Sequence, residues 1–241
     1  MTRSRALFRE DAYAAENRAT VLDASEAGVI LDASVFYPRA GGQPGDTGTI
    51  SWDGGETAVA DTVKAPDGSA LHLPAPGAAL PPVGAQVVAR LDWNRRHRHM
   101  RMHTTLHLLC AAMPGIFATG NQIGAEKSRL DFDLPDPPAK DWVTERLNEL
   151  IAGDHPIGER WISEAELDAN PGLVRTLSVQ PPRGAGQVRL VRIGTEEAPV
   201  DLQPCGGTHV RGTGEIGRVE VVKMESKGKQ NRRIHIVLAE G

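Results

Sequence analysis

With 241 residues the chain has room for one or two domains; 40% hydrophobic residues suffice for a core, and 24% charged residues are ordinary for a globular protein. A net charge of −4 excludes a surface coated throughout for nucleic acid, but residues 1–170 hold 16 Lys and Arg against 24 Asp and Glu, whereas residues 171–241 hold 11 against 7, so an acidic body carries a basic end suited to a localised anionic partner. The two cysteines make no disulfide framework, no apolar run follows Arg3, Arg5 and Arg9, and no window approaches the ~18 apolar residues of a membrane span, so a reducing, cytoplasmic setting is expected.

Residues 20–90 read as β structure. Short apolar runs at Thr20–Leu22, Gly28–Leu31, Val35–Tyr37, Thr57–Val63 and Gln86–Leu91 are separated by Gly, Pro and Asp clusters at turn-like spacing. They predict a small barrel, residues 1–90, with the Pro-rich stretch 74–82 as one of its loops. Within it, PRAGGQPGDTG at 38–48 supplies Gly41, Gly42, Gly45 and Gly48, which permit positive φ and close backbone approach. That stretch is either a pair of β-turns or a loop that approaches a substrate with Gln43 as a polar finger. The run DWNRRHRHMR at 92–101 holds Arg95, Arg96, Arg98 and Arg101. It reads as a solvated charged face or as a phosphate contact beside a site.

A helix is predicted from about Asn94 to Ala112, stopped by Met113-Pro114-Gly115, with Leu106, Leu109 and Met113 facing the core. Beyond it, Leu130, Phe132 and Leu134 predict a strand with Asp131 and Asp133 on a solvated face. Val143, Leu147, Leu150 and Ile151 predict a helix over 138–152 with Gly153 as its C-cap. Ser163 and Glu166 fit a capping box for a short helix ending before Pro171. Strands follow at 187–193, 216–224 and 232–238. The fold class is α+β: an N-terminal small β-barrel and a second domain, residues 91–241, with helices on one face of an antiparallel sheet.

The chemistry concentrates in two short stretches. RMHTTLHLL at 101–109 places His103 and His107 at i and i+4, one above the other on a helix face. PCGGTHV at 204–210 repeats the spacing with Cys205 and His209. Together they offer three nitrogens and a thiolate, a set that suits zinc, provided the fold brings the two pairs together. Gly206 and Gly207 bring bare backbone beside the cysteine; the alternative is a tight turn between strands. Cys110 shares the histidine face and is expected to be a buried structural thiol. His103 is not followed by Glu, which excludes the zinc-protease helix.

GGQPGDTG, RMHTTLHLL and PCGGTHV, in this order along the chain, resemble the editing domain of alanyl-tRNA synthetase and its free-standing relatives, the AlaX proteins of medium size. NQIGAEKSRLDFDL and SKGKQNRRIHI add to the resemblance, which covers roughly residues 28–238. It implies a fold of the threonyl- and alanyl-tRNA synthetase second-domain type and a hydrolase that cleaves mischarged tRNA(Ala) in trans, bearing serine and sometimes glycine. It implies one zinc ion per chain on His103, His107, Cys205 and His209, and a Gly-rich loop with Gln43 near the pocket. Segment 171–193 is longer and richer in Pro and Arg than the family's plainer link, which puts substrate identity in question. An editing role predicts backbone N–H groups of Gly206 and Gly207 at a developing oxyanion and Gln43 or Thr105 on the serine hydroxyl. Arg95, Arg96, Lys227, Lys229, Arg232 and Arg233 are the expected phosphate contacts. Two other classes are compatible with the residues: a metal-dependent hydrolase of a small ester or amide, and a non-catalytic zinc-containing RNA-binding module.

Overall fold

Alternating apolar and polar residues close the first part of the chain on itself. In a computed structural model that describes residues 4–177, 184 and 186–239, the strands are β1 (Arg5–Ala6), β2 (Glu16–Ser25), β3 (Gly28–Leu31), β4 (Ala33–Ser34), β5 (Gly48–Trp52), β6 (Gly55–Lys64), β7 (Ala70–Pro74) and β8 (Gln86–Leu91). β1 and β4 form a short parallel pair, and the other six close a barrel in the order β2-β3-β7-β6-β5-β8. Val21, Val29, Leu31, Ile50, Val59, Val87, Ala89 and Leu91 fill its interior. Closure leaves no edge strand to pair with another molecule.

The run Val35–Tyr37, expected as a strand, is buried but joins no strand. Side chains take its backbone donors instead. Val35 N–H donates to Asn17 Oδ1 (3.1 Å), Phe36 N–H to Ser34 Oγ (3.1 Å) and Tyr37 N–H to Asp46 Oδ2 (2.6 Å). With its donors satisfied that way, the segment has no ladder to make.

Segment 38–48 is built as a turn. Ala40 and Gln43 exchange hydrogen bonds (3.2 and 2.9 Å) across Gly41 and Gly42, whose φ values of 58° and 86° require glycine. A Cβ on Gly45 would stand 2.0 Å from Thr62 O, so only glycine lets the loop lie against β6. Gln43 is fully buried, so the exposed tip presents the backbone of Gly41 and Gly42, and the polar-finger expectation for its carboxamide does not hold.

The base of the loop is an ion pair. Asp46 and Arg96 are 1% and 0% exposed, and the guanidinium is bonded to both carboxylate oxygens, to Val35 O (2.8 Å) and to Ala12 O (2.9 Å). Arg96 was expected to meet a tRNA phosphate. Buried and committed to protein acceptors, it cannot. Arg95 stays half-buried, with Nη1 donating to Gly45 O (2.7 Å).

The chain divides into compact units Met1–His99 and Met100–Gly241, and the division falls inside α1 (Trp93–Ala112). The second unit contains β9 (Ala118–Gln122), β10 (Ser128–Asp133), α2 (Lys140–Ala152), β11 (Ile157–Ser163), α3 (Glu164–Ala169), β12 (Gln187–Gly194), β13 (Pro199–Pro204), β14 (Val219–Ser226) and β15 (Asn231–Leu238). They form two antiparallel sheets, β14-β15-β10-β9 and β11-β12-β13. The α+β class holds. Thr144 and Asn148 of α2 bond the backbone of Val219 and Val221, covering the free edge of β14. Ser163 and Glu166 form the expected capping box of α3. No helix among the described residues is long and apolar enough to cross a membrane. Of segment 171–193, residues 178–183 and 185 lie outside the described residues.

Asp131 departs from its expected solvated position. It is 6% exposed and lies between Arg129 (2.8 Å) and Arg233 (2.8 and 2.7 Å), which outweigh the effect of burial and hold its carboxyl below the usual range. Its register partner on β15 is Arg233, so the pairing follows from strand alignment.

Removing one member of a buried ion pair leaves the other charge uncompensated. Asp46→Ala is therefore expected to lower stability to urea unfolding by about 3–5 kcal/mol, while replacing Asp46 and Arg96 together with apolar residues recovers much of the loss. A single-variant loss under about 1 kcal/mol contradicts the assignment.

Candidate metal centre

From Met102 to Cys110, α1 is buried on every side. A helix in that position has no solvated face, so its polar residues need internal partners. His103 and His107 meet them across the unit. The turn after β13 brings Cys205 and His209 to the helix, and the donor atoms of His103, His107, Cys205 and His209 all lie within 4.8 Å of one another. Cys205 Sγ is 3.4 Å from His103 Nε2 and 3.3 Å from His209 Nε2. Ligand bonds of about 2.0–2.3 Å in a tetrahedron put neighbouring donors roughly 3.5 Å apart. The two distances from Cys205 Sγ match that edge length, and the whole set is close enough to surround one ion. The histidines are 5–6% exposed, while Cys205 is partly exposed.

Two further side chains decide which nitrogen each ring turns inward. His107 Nδ1 is 2.9 Å from Asp201 Oδ2, and Gln203 Nε2 donates to the same oxygen at 2.8 Å. A carboxylate accepts only, so His107 carries its proton on Nδ1 and frees Nε2 for the cluster. Thr104 Oγ1 donates to Met100 O (2.9 Å) and lies 3.1 Å from His209 Nδ1. With its own hydrogen committed, it accepts from His209, again freeing Nε2. Burial opposes a charge on His107, but Asp201 and Cys205 prevail and raise it to about 10. Burial also raises the Cys205 thiol, yet His103 and His209 outweigh it and hold it well below its ordinary value. The cluster therefore favours thiolate, the form a metal binds.

Arg189 holds the ligand turn from below. Its Nη1 donates to Cys205 O (2.8 Å) and Gly207 O (2.9 Å), and its Nη2 pairs with Glu159 (2.5 Å). Gly207 N–H points at Cys205 Sγ at 3.4 Å, so it supports the thiolate rather than an oxyanion as expected. Gly206 is exposed, with open space where a Cβ would stand.

Thr105 was expected to read a substrate hydroxyl. It is fully buried and donates back to Arg101 O at 2.8 Å; the hydroxyl that reaches the cluster belongs to Thr104. Burial, with Asp201 adding to it, pushes the Cys110 thiol up to about 12, so it stays a neutral, structural thiol beside Gln203. Asp201 and Gln203 went unread because β13 alternates Val200, Asp201, Leu202, Gln203, a pattern whose polar side is ordinarily assigned to water. Here the polar side faces the cluster.

The expected phosphate contacts separate by partner. Arg233 is matched by Asp131, which takes its charge. Lys227 and Lys229 are exposed in the β14–β15 turn, and Arg232, just after it on β15, bonds neutral acceptors among the described residues, including Pro135 O (2.6 Å) and Ser226 Oγ (3.1 Å).

Comparison with known proteins adds a second line. Residues 188–235 match the threonyl and alanyl tRNA synthetase second additional domain, and residues 5–95 match the class II (A) tRNA synthetase family. The chain is 36% identical to the alanyl-tRNA editing protein AlaX-M of Methanosarcina mazei, over 97% of this chain and 96% of that one. It is 37% identical to the AlaX-M protein of Methanosarcina acetivorans, over 87% and 88%. The alanine–tRNA ligase of Pyrobaculum neutrophilum is 36% identical over 93% of this chain, which spans only 26% of that ligase.

If Asp201 orients His107, its replacement loosens the site without removing a donor. Asp201→Asn is expected to weaken divalent-metal affinity about 10- to 100-fold in chelator competition, with unchanged circular dichroism. Unaltered affinity would show that Asp201 does not orient the ring.

Proposed function

The chain belongs to the family of alanyl-tRNA editing proteins, and from that premise we propose that it hydrolyses the ester joining a wrong amino acid to tRNA(Ala), serine foremost and glycine second, acting in trans. The observation that carries this reading is the convergence of His103, His107, Cys205 and His209 in a chain related over nearly its whole length to AlaX-M proteins. The donor set and spacing fit one zinc ion, whose chemistry when bound is to polarise an ester carbonyl or acidify a water toward a pKa of about 7.

The remaining roles fall to the chain's own side chains. Asp201 and Thr104 keep the rings aligned, and Arg189 holds the Cys205–Gly207 turn. Cys205 gives the otherwise buried cluster its solvent-facing side, where an acceptor end can arrive. Lys227, Lys229 and Arg232 supply the basic contact for tRNA phosphates. We assign hydrolysis to the second domain of the sequence division, residues 91–241, and an accessory role to the barrel of residues 1–90. Ligation with ATP is not part of this reading.

Purified protein is expected to deacylate Ser-tRNA(Ala) faster than Gly-tRNA(Ala), and to spare Ala-tRNA(Ala). A Cys205→Ala, His209→Ala double variant should fall to the uncatalysed rate, and equal rates in the two proteins reject a metal-centred activity. Lys227→Ala with Lys229→Ala should raise KM, leave kcat unchanged and reduce the slope of log affinity against log salt by about 1 per lysine. A salt-independent KM in both proteins points instead to a small ester or amide substrate.

A further inference from the structure

The cluster-facing side of the β11–β12–β13 sheet carries an aromatic residue without a role so far. Trp161 on β11 stands directly opposite Arg189 on β12. The next pairing places Cys205 opposite Arg189, since Leu190 pairs with Pro204 and Cys205 N–H donates to Arg189 O at 3.1 Å. Directly opposed residues share a sheet face, so Trp161, Arg189 and Cys205 make one row. The Arg189–Glu159 ion pair places Glu159 on that face, and the register adds Val191, Gln203 and Asp201, which reaches His107. The opposite face is spent on packing: Ile162, Val188 and Leu190 close a core with Leu167 of α3.

Trp161 is therefore not a core residue pointing the wrong way. It lies in the row of the candidate ligand Cys205, two strand spacings or roughly 10 Å away, and its side is 46% exposed. The neighbouring guanidinium of Arg189 is paired with Glu159, so the surface beside the indole carries little net charge. That combination suits a flat, neutral ring better than a phosphate.

We propose that Trp161 is the stacking platform for the unpaired terminal adenine of the tRNA, the base on the same ribose that carries the scissile ester. The inference rests on the editing reading. With the ester at the His103–His107–Cys205–His209 cluster, the base on that ribose must lie a short distance to one side. Trp161 offers an aromatic face in the row that begins at Cys205. Stacking on an indole tolerates any base and contributes an affinity factor of about 5- to 150-fold.

The test compares binding of uncharged tRNA(Ala) with the same RNA lacking its terminal adenosine, using full-length protein. Wild type is expected to prefer the complete RNA. Trp161→Ala should bind the complete RNA about 5- to 150-fold more weakly, bind the truncated RNA as wild type does, and retain metal content and kcat while KM for Ser-tRNA(Ala) rises. Trp161→Phe should keep most of the preference. If wild type deacylates Ser-tRNA(Ala) but Trp161→Ala keeps the preference and KM, the inference alone is overturned. A change in sedimentation with no change in RNA binding also overturns it, and assigns the indole to contact with a second copy. Wild type that neither binds nor deacylates the RNA overturns the editing reading and this inference together.

Discussion

The hydrogen bond between His107 and Asp201 is the constraint on which the candidate centre depends. It ties α1 to β13, sets the protonated nitrogen of the ring and turns the other toward Cys205 and His209. Asp201 is itself 5% exposed and held by Gln203. A carboxylate so placed is tolerated only beside positive charge. Against burial, Asp201 and Cys205 together raise His107 to about 10, so the imidazole itself supplies positive charge beside them.

The barrel uses a buried charge pair for a different end. Asp46 and Arg96 bind the foot of the Gly-rich loop and leave its tip free of side chains. The same pairing logic governs the sheet, where Asp131 sits between two arginines. Each such pair withdraws a cation from the pool that could face an RNA. Lys227 and Lys229 are exposed in the β14–β15 turn, and Arg232 stands beside it on β15 with neutral acceptors.

Function follows from how these parts divide the work. Four protein donors would close a zinc ion's tetrahedron, so the metal chemistry proposed above requires one of them, such as the partly exposed Cys205, to give its place to water or substrate. Backbone held by Arg189 and the indole of Trp161 line one row of the sheet, and the cluster terminates that row. On the proposed reading, this row would take the terminal base while its ribose reached the four side chains of the cluster.

Much was legible in the sequence itself. The i, i+4 spacing of His103 with His107 and the matching spacing of Cys205 with His209 named the four candidate donors, apolar patterns located the helices α1 and α2 and strands such as β8 and β15, and a capping box located α3. These signals are local, set by which residues share a face over a few positions. What the tertiary structure alone decided were the partners across distance. It drew Val35–Tyr37 out of any ladder, buried Gln43 and Arg96, exchanged Thr105 for Thr104 at the cluster, and turned the polar side of β13 inward. A polar residue in a strand or helix reads the same whether it faces water or a buried partner, and only the fold supplies the partner that makes burial favourable.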